Sequence, residues 1–234
     1  MKKIKIFSDG ADLESFRELA KKPFIEGFTT NPTLMRKAGV DNYSRFAQEV
    51  LEIIGRKPIS FEVFADDADG MSRQAHIIRS WGKNVYVKIP IVNSRGEPML
   101  DLIRSLHADG VKLNITAILA VEQLEKLAKI ICQQVPSLVS VFAGRIADTG
   151  RDPVPTIQIA RKLFSENEAA EILWASTREV LNIEQAGVAG AHIITVTPEI
   201  LKKYEALKQH DLLELSRQTS AMFHQDAQAS GYKM

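Results

Sequence analysis

Short apolar runs recur along the chain, and each gives way to a longer stretch whose apolar positions repeat every three or four residues. The runs are Ile4 to Phe7, Gly27 to Thr29, Ile59 to Phe64, Val85 to Ile89, Lys112 to Ile115, Leu138 to Phe142, Ile172 to Ala175 and His192 to Val196, and they predict eight strands. Helices are predicted over Asp12 to Lys21, Asn42 to Ile54, Gly70 to Trp81, Pro98 to Ala108, Ala120 to Gln134, Pro153 to Phe164 and Thr177 to Ala186. Gly55, Gly82, Gly110, Gly187 and Gly190 punctuate the returns from helix to strand. Pro198 can open another helix, and a polar helical tail follows from about Asp211 to Gln228.

Strands alternating with helices imply parallel βαβ units, and eight units allow the sheet to close. The expected fold is therefore α/β, a single-domain (β/α)8 TIM barrel over 1–234 with an additional C-terminal helix. An open doubly wound sheet is the alternative, with a ligand at the point where strand order reverses. No G-x-G-x-x-G follows a strand, which leaves a dinucleotide-binding version without support.

Composition narrows the picture. The 234 residues suit one such barrel, and 45% hydrophobic with 25% charged residues provide a sizeable core. Thirty Lys+Arg against 29 Asp+Glu leave a net charge of +1, no field for nucleic acid or an anionic membrane, so an anionic substrate must be met by local groups. The single Cys132 has no disulfide partner, and no zinc motif is present; helix packing in a reducing compartment is its expected role. The basic start, Met1-Lys2-Lys3, passes into a strand pattern without a signal-peptide core, and no apolar run is long enough to span a bilayer. A soluble, cytoplasmic protein acting on small molecules is expected.

Chemistry in such a barrel sits at the carboxyl ends of the strands. Lys88 lies in Val85-Tyr86-Val87-Lys88-Ile89-Pro90, a run that reads as a buried strand with Pro90 at its end. Desolvation lowers a lysine's pKa and leaves a nucleophilic amine able to form Schiff bases. The bland reading is a strand-end lysine that snorkels to water or pairs with a carboxylate. The other strand ends supply Asp9, Thr29 with Asn31, Glu62, Asn114 with Thr116, Ser140 with Arg145, Ser176 with Arg178, and Thr195. Asp9 can pair with Lys88 or move a proton; a helix cap is the competing role, and Asp12 suits that better. Glu62 between apolar neighbours needs a buried cation if it is not catalytic, and Lys88 can be that cation. Ser176 and Arg178 stand where a strand turns into its helix, a common phosphate locus, and Arg145 offers a second guanidinium fork. Pairing of these arginines with Asp148 or Glu179 is the competing reading.

Phe28-Thr29-Thr30-Asn31-Pro32-Thr33-Leu34, Val87-Lys88-Ile89-Pro90, Leu113-Asn114-Ile115-Thr116, Ser140-Val141-Phe142-Ala143-Gly144-Arg145-Ile146 and Ala175-Ser176-Thr177-Arg178 together resemble the transaldolase family in its small-subunit form. The resemblance implies a metal-free, cofactor-free class I enzyme with Lys88 as the Schiff-base lysine and Asp9 as the acid/base at the substrate C4 hydroxyl. It implies that Glu62 and Thr116 handle the water of imine formation, and that Asn31, Asn114 and Ser140 bind the dihydroxyacetone portion. Arg145, Ser176 and Arg178 would take the distal phosphate, and Thr29 would support the loop. The related fructose-6-phosphate aldolases, which release dihydroxyacetone as lyases, carry Gln at Glu62 and Tyr at Phe142; both residues here resemble true transaldolases. Departures from the family pattern stand at Ser8, Gly10 and Thr177. A homo-oligomer is also implied. A non-catalytic sugar-phosphate-binding barrel is the rival from another class.

Overall fold

The computed structural model describes residues 3–233; Met1, Lys2 and Met234, which the sequence reading included in the domain, lie outside the described residues. Among the described residues, eight parallel strands close into a barrel in sequence order: β1 (Lys5–Asp9), β2 (Ile25–Thr29), β3 (Ile59–Glu62), β4 (Val85–Pro90), β5 (Leu113–Ile118), β6 (Ser137–Val141), β7 (Ala170–Trp174) and β8 (Ile193–Val196). The helices are α1 (Leu13–Ala20), α2 (Pro32–Lys37), α3 (Tyr43–Ile54), α4 (Ala68–Ser80), α5 (Leu100–Ala108), α6 (Val121–Ala128), α7 (Ala143–Ala147), α8 (Val154–Leu163), α9 (Leu181–Ala189), α10 (Pro198–Leu207) and α11 (Leu212–Ser230). The chain is a (β/α)8 TIM barrel with an added C-terminal helix, and the closed ring of strands excludes the open-sheet alternative.

Two separate cores follow from the period-two alternation of each strand. Outward residues such as Ile6, Phe28, Ile59, Phe61, Val87, Ile89, Ile115, Val141, Trp174 and Ile194 bury against the helices. Inward residues Phe7, Leu138, Leu173, Ala175 and Ile193, with Tyr86 and Phe142 packed on them, plug the barrel interior. The plug fits because Gly27 has no side chain: a Cβ there would lie 2.5 Å from Phe7 Cζ. Two residues further along their strands, the same inward alternation that turns Phe7, Tyr86 and Ile193 into the plug delivers Asp9, Lys88 and Thr195. The apolar plug is thus the floor of whatever the polar ring encloses.

Several boundaries differ from the sequence reading. Two short helices escaped it because five or six residues are too few for helical periodicity: α2 is opened by Pro32 after the Asn31 cap, and α7 follows β6 directly. The segment expected to be helical to Gln134 stops at Ala128, although Ile130 and Ile131 continue the apolar spacing. Cys132 therefore lies in a loop rather than on a packed helix, with its sulfur against Gln134 Oε1 at 2.9 Å. Likewise α9 begins at Leu181, four residues after the expected Thr177. No described helix is long and apolar enough to cross a membrane.

The amino-terminal end of the barrel holds a buried histidine. His107 Nδ1 accepts from the Cys132 amide at 3.3 Å, which fixes the proton on Nε2, the nitrogen 2.9 Å from Ser137 Oγ. Burial pushes its pKa from 6.5 down to about 4. Below pH 6.5 the unfolded chain therefore binds a proton that the folded chain refuses, and stability is lost as pH falls from 6.5 toward 4. Between pH 7.5 and 4.5, urea unfolding of the wild type should lose about 2 kcal/mol more than that of His107→Gln. Parallel losses in the two proteins would show that His107 is not the responsible group.

Candidate active site

The register of the central strands brings the charged residues together. Glu62 on β3 pairs in register with Lys88 on β4, and Lys88 with Asn114 on β5, so all three stand at one level of the barrel mouth. Lys88 is only 7% exposed. Its Nζ lies 3.4 Å from Glu62 Oε2 and donates to the Thr30 carbonyl at 3.2 Å. The lysine does not snorkel; the carboxylate pair that competed with catalysis in the sequence is present, and it stands inside the cavity.

Asp9, at the end of β1, is in register with Thr29 of β2. Thr29 Oγ1 donates to Asp9 Oδ1 at 2.7 Å and lies 2.5 Å from Thr195 Oγ1. Burial pushes the Asp9 carboxyl above the ordinary carboxylate range, against the attraction of Lys88 and the Thr29 hydrogen bond. The helix-cap role falls to Asp12, whose Oδ2 accepts from the Ser15 amide at 2.7 Å. Asp9 is left facing the cavity.

Around this centre the polar ring is partly self-satisfied. Ser140 Oγ donates to Asn114 Oδ1 at 2.6 Å, and Asn114 Nδ2 donates to Ser60 Oγ at 2.9 Å. These bonds lock the Asn114 amide in one orientation. Asn31 Oδ1 caps α2 by accepting from Leu34 N at 3.0 Å, so its amide NH2 is the end available to a ligand. Thr116 is buried, and its hydroxyl has no hydrogen-bond partner among the described residues. A buried hydroxyl without a partner is costly, which marks Thr116 as a group that a bound molecule would satisfy.

Sequence reasoning missed Ser60 and Tyr43. The Tyr43 hydroxyl donates to the Glu62 carbonyl at 2.9 Å, and burial raises its pKa. Its ring packs edge-on to Phe61 at 6.0 Å and Trp81 at 5.2 Å between centroids. Tyr43 therefore fixes the backbone that carries Glu62. In the sequence it is one more apolar position on a helix, and only its distance to β3 reveals the contact.

The arginine side of the mouth depends on a glycine. A Cβ on Gly144 would lie 1.6 Å from the Ser176 carbonyl oxygen, so only glycine lets the β6–α7 turn pass this loop. Ser176 sits in the left-handed region at φ 67°, where a non-glycine residue is uncommon. The helix amides expected to follow Ser176 are absent from that point because α9 starts later. Arg178 instead pairs with Asp148, Nη2 to Oδ2 at 2.6 Å and Nε to Oδ1 at 3.1 Å, and this pair holds the Asp148 carboxyl below its ordinary pKa. Arg145 is exposed and makes no such pair among the described residues.

Asp9, Thr29, Asn31, Glu62, Lys88, Asn114, Thr116, Ser140, Phe142, Arg145, Ser176 and Arg178 all line one cavity of about 460 Å³ at the carboxyl ends of the strands. Every residue singled out as a site residue in the sequence is in it. A larger concavity, about 670 Å³, lies at the opposite end, but there Lys5 is already neutralised by Glu171 at 2.7 Å, and barrel chemistry belongs to the carboxyl end. Among the described residues no cluster of three or more His, Cys, Asp or Glu side chains is arranged to hold a metal ion. An amine beside two carboxylates over an apolar floor can add to a carbonyl and exchange protons with the adduct.

The profile of the Transaldolase/Fructose-6-phosphate aldolase family matches residues 6–233. A probable transaldolase of Herpetosiphon aurantiacus is 33% identical over 217 residues, covering 92% of each chain. Probable transaldolase 2 of Listeria monocytogenes is 33% identical over 86% of this chain and 88% of its own. A probable transaldolase of Thermoanaerobacter sp. is 32% identical over 99% and 100%. Among solved structures, a mandelate oxidase variant with a monooxide FMN adduct superposes with a TM-score of 0.56 at 13% identity, over 82% of this chain and 64% of that longer one. A flavocytochrome b2 variant with benzoylformate gives 0.55 at 12%, over 82% and 56%. Those two likenesses concern the barrel fold alone.

Proposed function

Because the chain belongs to the Transaldolase/Fructose-6-phosphate aldolase family, we propose that it transfers a dihydroxyacetone unit from a ketose phosphate to an aldose phosphate through a Schiff base on Lys88. The observation that carries this reading is the burial of Lys88 within one cavity with Glu62, 3.4 Å away, and Asp9. Deprotonated Lys88 Nζ attacks the ketose C2, the carbinolamine loses water, and the iminium becomes an electron sink. Asp9 takes the C4 hydroxyl proton, the C3–C4 bond breaks, and the aldose leaves while the three-carbon enamine stays on the lysine. The enamine then attacks the acceptor aldehyde, whose oxygen takes its proton back from Asp9. Water releases the new ketose. Glu62 and the unpartnered Thr116 hydroxyl suit the handling of that water.

Asn114, held by Ser140 and Ser60, and the NH2 of Asn31 suit the hydroxyls of the dihydroxyacetone portion, with Thr29 in a supporting place. Phe142 covers the apolar floor. Arg145, Ser176 and Arg178 suit a distal phosphate. Fructose 6-phosphate or sedoheptulose 7-phosphate is the proposed donor, and erythrose 4-phosphate or glyceraldehyde 3-phosphate the acceptor, as a cytoplasmic step of the pentose phosphate pathway. Glu62 and Phe142 favour transfer over the lyase reaction. The proposed assembly is a homo-oligomer: α11 buries no residue of its own and exposes Leu212, Leu213, Met222 and Phe223. Apolar groups in such number suit a neighbouring subunit.

Borohydride with fructose 6-phosphate should leave a covalent adduct on Lys88 that vanishes in Lys88→Met, and turnover should need an aldose-phosphate acceptor. A label elsewhere would sink the Schiff base, and acceptor-independent release of dihydroxyacetone would convert the transferase into a lyase. Replacing Arg178 by Ala should raise KM for phosphorylated substrates by roughly tenfold or more while sparing free dihydroxyacetone; equal effects on both would remove the phosphate role. Solution scattering should report a mass above that of one chain, whereas a monomer would refute the assembly.

A further inference from the structure

β8 reaches the cavity with one inward side chain, Thr195, to which the mechanism above gives no task. It is 5% exposed and clamped on both sides. In the sheet it is in register with Phe7 of β1, two residues before Asp9. Its carbonyl accepts from Thr177 Oγ1 at 2.7 Å, which ties β8 to the Ser176–Arg178 loop. Its hydroxyl lies 2.5 Å from Thr29 Oγ1, and that hydroxyl lies 2.7 Å from Asp9 Oδ1.

Proton counting gives this chain a direction. A threonine hydroxyl has one proton, and with Asp9 ionised the Thr29 proton is committed to Asp9 Oδ1, since an ionised carboxylate can only accept. In the contact between the two threonines the donor is therefore Thr195. The sequence Thr195 to Thr29 to Asp9 runs one way, and each bond polarises the next. We propose that Thr195 is a positioning residue: by occupying the acceptor side of Thr29 it keeps the Thr29 proton on Asp9 Oδ1 and leaves Oδ2 as the oxygen that exchanges protons with substrate. The inference rests on the reading of Asp9 as the acid/base.

The directed bond opposes the burial that raises the Asp9 carboxyl. The charged groups that share its cavity are Glu62 from β3, Lys88 from β4, Arg145 from α7 and Arg178 from the β7–α9 loop, and none of them changes when Thr195 loses its hydroxyl. Thr195→Val keeps the side-chain shape and removes the donor.

Infrared titration of the substrate-free protein, with the Asp9 band identified by difference against Asp9→Asn, should show the carboxyl midpoint rise by roughly half a pH unit or more in Thr195→Val and return in Thr195→Ser. The acid limb of kcat should move up with it. At the pH optimum, kcat should fall about two- to tenfold while KM stays within a factor of about two. Thr195→Ala carries the same expectations if the valine variant does not fold. An unmoved Asp9 midpoint overturns the proposal, and so does a serine variant as impaired as the valine one. The infrared reading needs no turnover; absence of a Lys88 adduct in the wild type would therefore defeat the Schiff-base reading without touching this result.

Discussion

An ammonium group placed in the mouth of a closed barrel loses its hydration, a penalty of several kcal/mol unless oxygen atoms surround it, and the candidate site is arranged around that requirement. Lys88 has the Thr30 carbonyl at 3.2 Å and Glu62 at 3.4 Å. Both contacts are set by the sheet: in-register pairing puts Glu62 beside Lys88, and the barrel's curvature brings the end of β2 within reach. A slip of one residue in β3 would turn the carboxylate outward into the helix layer, and a slip in β4 would do the same to the lysine; either leaves one charged partner at the mouth without the other. Fold and site therefore depend on the same register.

The apolar plug below the site is the other half of this arrangement. Phe7, Tyr86, Leu138, Leu173 and Ile193 fill the interior below the polar ring, so solvent reaches Lys88 only from the cavity side. Gly27 lets the Phe7 ring lie flat against β2. Gly144 performs a similar service at the mouth, where the β6–α7 turn crosses the Ser176 carbonyl. Each glycine is required by a close approach. The pair of Arg178 with Asp148 is exposed and adds little to stability, but it holds the guanidinium at the cavity rim.

The eight strands could be read from the chain because β-branched runs of four to six residues, separated by amphipathic helices, fit few architectures besides a parallel sheet. The strand-end residues were readable for the same reason, since the carboxyl end of a parallel strand is where a barrel puts its chemistry. What could not be read depends on distances across the barrel. Tyr43 looks like packing until its hydroxyl is found on the Glu62 carbonyl, and Ser60 looks like a strand filler until Asn114 leans on it. Thr195 stood among the strand ends, yet its partner Thr29 is 166 residues away in sequence. The end of α6 failed for a different reason: Ile130 and Ile131 satisfy the helical spacing while the backbone turns beneath them.

Two carboxylates in one cavity need different surroundings if they are to do different work. Asp9 accepts from the neutral Thr29 hydroxyl, and burial raises its pKa against that bond and the attraction of Lys88, surroundings that suit the proton transfer proposed for it. Glu62 stands 3.4 Å from Lys88 Nζ, and its backbone carbonyl accepts from the Tyr43 hydroxyl, which holds the side chain beside the lysine. The separation follows from which strand each carboxylate ends: β1 meets the threonines of β2 and β8, while β3 meets the lysine of β4. Strand order thus gives the two carboxylates different neighbours before any substrate arrives.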